Sequence, residues 1–359
     1  MIQRYDFAPL DGITKAVYRR VWARRFGGAD RLFIPYFSPT REHIVTKRER
    51  VELAPPEMTD SRTSLGGDVT APPRPCRPPE RGEMSPQGDR GGQSDAAPEL
   101  VPQVMTNTAR ELLWAAEVVR DLGYTELNLN LGCPSGTITA KTKGAGLLAR
   151  TDTLQAMLDG ACDKLCLPLS VKARIGYESP DEFPALLDLF NRYPLKTLIL
   201  HVRVRKDKYS GPLYYDAFAD ALRDSVNPVE YNGDLRTVAE VDAFAGRFPA
   251  ADAVMIGRGG IADPALFRKL KGGAPVSRDE LRAFTAELFD EYTRFYDGQV
   301  GHAAQRMREV WFYLIHLFDD NRRLNKAMRR FRTTTEYHAA EDAIFNELPL
   351  RTDSTGDLI

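Results

Sequence analysis

Eight short apolar runs, most followed by an amphipathic helical stretch, constrain this chain more than any other feature. The runs are Tyr5–Pro9, Leu32–Phe37, Val101–Met105, Glu126–Leu131, Leu169–Ala173, Thr197–Val202, Val229–Tyr231 and Ala253–Ile256. Helical periodicity follows most of them, as in Ala109–Leu122, Asp152–Leu165 and Thr237–Arg247. Strands that are apolar on both faces must be covered on both faces, and helices between them supply the cover and the crossovers of a parallel sheet. Eight such units in roughly 250 residues suit an α/β fold of the (β/α)8 TIM barrel type. An open doubly wound sheet is the structural alternative. It needs a Gly-rich turn after the first strand, and Ala8-Pro9-Leu10-Asp11-Gly12 is not a G-x-G-x-x-G. After Lys271 only helical periodicity remains, from Ser277 to Asn346, with Trp311, Phe312, Ile315 and Phe318 as an apolar stripe. The expected organisation is a barrel over residues 1–272 and a small all-helical domain over 277–348.

One segment interrupts this pattern. From Ala54 to about Leu100 the chain is rich in Pro, Gly, Ser and charge and holds no aromatic residue. Such a composition cannot bury enough apolar surface to offset its ordering entropy, so a disordered insertion is expected; a docking segment is the other reading. The four cysteines, at 76, 133, 162 and 166, form no C-x-x-C pair, and no metal site is expected from them. Scattered thiols suit a reducing cytosol, and Cys162 and Cys166, at helical spacing, are expected to be plain core packing. No apolar run reaches the roughly 18 residues of a membrane-spanning helix. Met1 to Pro9 carries Arg4 and Asp6 and has no leader-like apolar core, so a cytoplasmic protein is expected. The formal net charge is −1, so any nucleic-acid binding must rest on local positive charge.

A TIM barrel builds its site from the loops at the C-terminal ends of its strands. In this chain those ends carry Pro9-Leu10-Asp11-Gly12, Asn130-Leu131-Gly132-Cys133-Pro134-Ser135, Lys172 with Arg174, His201-Val202-Arg203, Asn232-Gly233-Asp234 and Gly257-Arg258-Gly259. Pro102-Gln103 lies on the third run. Loops after strands seven and eight often hold a phosphate, where glycines let backbone N–H groups approach and an arginine adds charge-assisted donors. Strand alternation points Lys172 into the barrel mouth, where a cation needs an anionic partner. A reduced flavin or a carboxylate from another strand would serve. His201 could reach the same edge. Cys133 sits in a Gly-Cys-Pro-Ser turn, and a thiol of ordinary pKa, about 8.5, is largely protonated at neutral pH and can give a proton to carbon. An inert turn cysteine is the plainer reading.

Taken together these motifs resemble the tRNA-dihydrouridine synthase family across the whole barrel. The resemblance rests on Ala8 to Thr14, Pro102-Gln103, Asn128 to Ser135, Ser170 to Arg174, His201-Val202-Arg203 with Tyr209 and Gly211, Asn232-Gly233-Asp234, and Asp252 to Gly259. The asparagine-x-x-cysteine loop is the most specific of them. The resemblance implies FMN as cofactor, NADPH as reductant and tRNA as substrate. It implies hydride transfer from flavin N5 to uracil C6 and protonation of C5 by Cys133. Pro9, Leu10, Asp11, Gln103, Lys172, His201, Asn232, Gly233, Asp234, Gly257 and Arg258 match the family's flavin contacts. Asn130, Arg174, Arg203 and Tyr209 fall at positions that face the uracil or the RNA. Asp11, Val204 and Asp207 depart from the family's usual residues, and the insertion is foreign to it.

Two rivals belong to other classes: a flavin barrel acting on a free pyrimidine, and a non-catalytic RNA-binding protein on the same scaffold. The helical C-terminal region argues against the first, the intact Cys133 and phosphate loops against the second. Positive charge gathers at Arg322, Arg323, Lys326, Arg329, Arg330 and Arg332, with only Asp319 and Asp320 preceding it. A solvated helix face is the bland reading. Cations without i,i+4 partners, in a domain the resemblance assigns to tRNA, favour phosphate contacts from Arg323, Arg329 and Arg330. No membrane and no obligate protein partner are expected.

Overall fold

The computed structural model describes residues 1–40, 42–54 and 97–354. Its strands are β1 (Arg4–Phe7), β2 (Arg31–Phe37), β3 (Glu99–Val104), β4 (Leu127–Leu131), β5 (Leu169–Gly176), β6 (Thr197–Val204), β7 (Val229–Asn232) and β8 (Ala253–Ile256). They are hydrogen-bonded in chain order and close into a parallel barrel, as the apolar runs implied. The closing pair, β8 on β1, runs from Arg4 opposite Ala253 to Phe7 opposite Ile256.

Helices fall between the strands: α1 (Ala16–Arg25), α2 (Lys47–Leu53), α3 (Ala109–Asp121), α4 (Gly136–Thr139), α5 (Thr151–Ala161), α6 (Phe183–Phe190), α7 (Tyr215–Asp224) and α8 (Val238–Arg247). After β8 come α9 (Arg258–Ala262), α10 (Leu266–Leu270), α11 (Arg278–Phe295), α12 (Val300–Leu314), α13 (Arg322–Arg330) and α14 (Thr334–Glu347). Local chemistry sets several starts. Thr237 with Glu240 and Ser277 with Glu280 form capping boxes that satisfy the first N–H groups of α8 and α11.

Element ends differ from the sequence expectation for local reasons. β1 stops at Phe7, because Pro9 has no N–H for the ladder. β5 and β6 run on to a Gly176–Val204 pair past a register shift. Glu99 and Leu100, read as the end of the insertion, already belong to β3; the rest of that reading, 55–96, lies outside the described residues, as does Cys76. The helix expected over 152–165 ends at Ala161 in a tight turn, Cys162–Lys164. Cys162 and Cys166 are therefore half-buried and not core, because the turn carries them off the helix's packed face.

Packing divides the described chain into two compact units, Met1–Leu32 with Asp234–Ile359, and Phe33–Gly233. In the first, Phe7 meets Trp22 and Phe267 at ring distances of 4.9 and 5.0 Å, and Trp22 donates its indole N–H to the Pro264 carbonyl at 3.0 Å. The helices after β8 lie against α1, with Phe284 on Tyr18 and Phe26, and Glu287 accepting from Arg24 and Arg25. Arg306 on α12 donates to the carbonyl of Gly12, whose φ of +91° a side chain would strain. Trp311, Ile315 and Phe318 are buried as expected, while Phe312 sits half-buried under the Arg329 guanidinium, 4.9 Å away. In the second unit the aliphatic side chains of β3 to β6, such as Val101, Leu129, Val171 and Leu200, are wholly buried.

The most exacting polar contact of the first unit is Asp6. It is inaccessible, and its Oδ2 accepts from Arg31 at 2.5 and 2.7 Å and from Arg4 at 3.3 Å. Removing one partner of a buried pair leaves a charge without compensation, a loss of about 3–5 kcal/mol. Arg31→Met is therefore expected to lower unfolding free energy in urea by about that amount. A loss under about 1 kcal/mol would show that the pair behaves like an exposed one.

Candidate active site

The loop after β4 is fixed by a side chain on β4 itself. Asn130 is 8 % exposed, and its Oδ1 accepts from the backbone N–H of Gly132 at 3.1 Å and of Cys133 at 3.0 Å. Arg174 is 1 % exposed and clamps the loop from β5. Its Nε donates to the Gly132 carbonyl at 2.9 Å and its Nη1 to the Val204 carbonyl at 3.0 Å. The Cys133 carbonyl accepts from Ala145 at 3.1 Å, where the chain returns. That return needs Gly144: its φ is +56°, and a Cβ there would come within 3.1 Å of Cys133 Cβ and O. Cys133 itself is half-buried.

Two cations, Lys172 and Arg174, interact electrostatically with Cys133. Lys172 lies opposite Asn130 in the β4–β5 register, and its Nζ donates to Asn232 Oδ1 at 2.7 Å. Burial first, and then the Arg174 charge, push the Lys172 ammonium down to a pKa of about 7. Burial likewise lowers Arg174, to about 10, with Arg203 adding to the effect. Arg203 donates from Nε to the Gly211 carbonyl at 2.7 Å and approaches His201 Nε2 at 3.4 Å. Tyr209 covers this group, its ring 6.3 Å from His201 and 5.4 Å from the Arg174 guanidinium, yet it is 53 % exposed. Arg205 reaches back to Thr139 Oγ1 at 3.3 Å, tying α4 to the loop after β6. At Gly233 a Cβ would lie 2.5 Å from the Tyr231 hydroxyl, so only glycine fits. At Gly211 it would strike the Asp207 side chain.

The remaining expected residues sit in the other unit. Leu10 donates its N–H to Thr14 Oγ1 at 2.8 Å, which fixes the turn after β1. Pro9 is half-buried, and the Asp11 carboxylate faces solvent, paired with Lys15 at 2.8 Å. Asp234 Oδ1 accepts from Arg258 at 2.5 Å and its Oδ2 from Arg236 at 3.2 Å, so one carboxylate orients two guanidinium groups. Gly257 is half-buried at the head of α9, and Gly259 lets that segment approach Leu235 O, which a Cβ would meet at 2.5 Å. On α13, Arg323, Arg329 and Arg330 are exposed. Arg323 has a partner that spacing within its own helix could not reveal, Glu347 on α14.

Gln103 is the expected site residue whose surroundings differ most from its sequence reading. It is inaccessible, and both ends of its amide are engaged, Oε1 by Asn130 at 2.7 Å and Nε2 by Asn128 at 2.7 Å. Asn128, Ser170 and Arg236 were not picked out as site residues from the sequence. The alternation in Asn128-Leu129-Asn130-Leu131 carried the signal for Asn128, since residues two apart share a strand face. Among the described residues no cluster of His, Cys, Asp and Glu could hold a metal, and no helix is long and apolar enough to cross a membrane.

A closed parallel barrel with a buried asparagine, a loop thiol and several cations at its strand ends defines a barrel enzyme. The dihydrouridine synthase family model matches residues 89–348, and the chain belongs to that family. It is 26 % identical over 227 residues to the tRNA-dihydrouridine synthase B of Proteus vulgaris, covering 61 % of this chain and 70 % of that one. It is 28 % identical over 221 residues to a probable tRNA-dihydrouridine synthase of Rhodobacter capsulatus, covering 58 % and 67 %. Among solved structures, histamine dehydrogenase from Rhizobium sp. 4-9 aligns with a TM-score of 0.50 at 12 % identity, over 75 % of this chain and 45 % of that chain, a likeness of fold alone.

Lys172 makes stability depend on pH with a definite sign. Its pKa falls from 10.5 in the ordinary state to about 7 in the fold. Between those values the unfolded chain binds the extra proton, so stability rises with pH across that window. Below it, holding the charged ammonium counts against the fold. In protein stripped of small molecules, raising pH from 7 toward 10 should stabilise the parent relative to Lys172→Met, which cannot titrate there. Parallel urea midpoints for the two across that range would show that Lys172 keeps an ordinary pKa.

Proposed function

We propose that this protein reduces uridine to dihydrouridine in tRNA, with FMN as cofactor, NADPH as reductant and Cys133 as the proton donor. The observation that carries this is the Cys133 loop, held by Asn130 and Arg174 beside Lys172. Family membership and the tRNA-acting relatives support it. A flavin suits the chemistry of the donor set. Burial and the Arg174 charge weaken the charged state of Lys172, burial and the Arg203 charge weaken that of Arg174, and an electron-rich ring with negative charge at one edge would relieve both. When bound, the flavin supplies hydride chemistry.

The chain's own residues do the rest. Lys172, His201 and Asn232 would hold the ring edge, with Gln103 acting through Asn130. Gly233, Asp234, Gly257 and Arg258 would take the phosphate, and Pro9, Leu10 and Asp11 would line the cofactor through backbone. Cys133 Sγ–H would give its proton to C5 of the uracil and be left as a thiolate, C6 taking the hydride that the cofactor would supply, so that the C5=C6 double bond becomes a single bond with one new C–H bond at each carbon. Asn130 sets the loop from which that proton comes. Tyr209, exposed over Arg174 and His201, would stack on a base, with Arg174 and Arg203 facing the uracil or the RNA beside it. Residues 1–272 form the cofactor-binding barrel in this reading. Residues 277–348 form the tRNA-binding part, with Arg323, Arg329 and Arg330 toward phosphates. The substrate makes it a cytoplasmic protein.

Cys133→Ala should retain FMN and its reduction by NADPH, while tRNA reduction falls by about 10²–10⁴-fold, the usual share of general acid catalysis. Parental turnover by this variant would remove Cys133 from the mechanism. Arg258→Ala should weaken FMN binding by about tenfold or more, read by flavin fluorescence, since a charge-assisted contact contributes about 1.5–3 kcal/mol. Unchanged affinity would place the phosphate elsewhere.

A further inference from the structure

A line of polar side chains runs through the interior of β3, β4 and β5. The register sets Gln103 opposite Asn128 and Asn128 opposite Ser170. Asn130 Nδ2 donates to Gln103 Oε1 at 2.7 Å, Gln103 Nε2 to Asn128 Oδ1 at 2.7 Å, and Asn128 Nδ2 to Ser170 Oγ at 2.8 Å. Ser170 Oγ donates to Glu126 Oε1 at 2.5 Å, and Glu126 Oε2 pairs with Lys196 at 2.6 Å. Gln103, Asn128 and Ser170 are 0 % exposed and Glu126 1 %. Barrel interiors are ordinarily filled by branched apolar side chains, so a buried polar line needs a reason.

The direction of the line is forced. A carboxylate only accepts, so Ser170 must donate to Glu126 and accept from Asn128. Each amide then has one orientation that satisfies both neighbours. At the far end Asn130 must present Oδ1, and the groups waiting there are the N–H donors of Gly132 and Cys133. Inverting any amide in the line sets donor against donor or acceptor against acceptor in the interior, where an unsatisfied group costs about 1–3 kcal/mol.

We infer that Glu126, Ser170 and Asn128 are positioning residues for the Cys133 loop: the buried carboxylate ahead of β4 fixes, through four side-chain hydrogen bonds, which end of the Asn130 amide faces the loop. Its consequence for turnover rests on Cys133 being the proton donor; its consequence for the loop does not.

The test is hydrogen exchange at the Gly132 and Cys133 amides in the FMN-bound protein, beside single-turnover tRNA reduction. Ser170→Ala removes the link to Glu126 at the cost of one buried oxygen. Exchange at those two amides should quicken about tenfold, matching a loss of about one hydrogen bond's net worth, while protection in α11 stays parental. Reduction of tRNA should fall in kcat with KM kept, and flavin reduction by NADPH should hold. Glu126→Gln, made with Ser170 intact, keeps an acceptor oxygen toward that hydroxyl while Lys196 turns to solvent, and should leave exchange as slow as in the parent. Faster exchange with parental tRNA reduction upholds the positioning of the loop and overturns its consequence for turnover. Parental exchange in Ser170→Ala overturns the positioning line. Should Ser170→Ala fail to fold, Ser170→Cys, a weaker donor of similar shape, should give intermediate exchange, and parental exchange there overturns it equally.

Discussion

An asparagine side chain has an acceptor on one side and donors on the other, and here that asymmetry sets the Cys133 loop. Asn130 Oδ1 receives two successive backbone N–H groups, of Gly132 and Cys133. Everything nearby depends on this contact being one-sided. The strand register delivers Asn130 opposite Lys172, Arg174 closes the loop from the next strand, and Gly144 lets the chain fold back over the thiol. A loop held by side chains from two strands is more rigid than one held by its own turn, and the proton transfer proposed for Cys133 would need that rigidity.

The same region gathers charge in a way that works against folding. Lys172, Arg174 and Arg203 are cations drawn from neighbouring strands into a partly dry interior, and burial weakens the charged state of the first two. A core optimised for stability would place aliphatic side chains there. Glu230, buried on β7, offsets part of that cost at Lys172, and the anionic ring proposed for the strand ends would add further counter-charge. Active sites commonly hold such perturbed groups at the expense of stability. Arg258 and Arg236 are handled differently: both pair with the Asp234 carboxylate.

Much of this was legible in the sequence, and the exceptions have physical causes. The eight strands were readable because parallel strands are apolar on both faces, and the site loops because a barrel confines its chemistry to one set of strand ends. Strand limits were less readable: β5 and β6 continue because they pair with each other past a shifted register, a property of two segments and not of either. Asn130 and Cys133 stood out as a motif, whereas Asn128, Ser170 and Glu126 read as ordinary polar residues until the register set them in line. Arg323 was read as unpaired because its partner, Glu347, lies on another helix. Gln103 matched a family pattern, but only the packing shows that Asn130 and Asn128 each engage one end of its amide.

The central claim is that the protein reduces uridine within tRNA. The most direct measurement incubates the purified protein with FMN, NADPH and tRNA lacking dihydrouridine, then reads nuclease fragments by mass. The account predicts a gain of two hydrogens at a uridine in tRNA, dependent on NADPH, with free uracil and free uridine left unchanged. Reduction of the free pyrimidine with tRNA untouched, or no reduction of either by flavin-loaded protein, would contradict it.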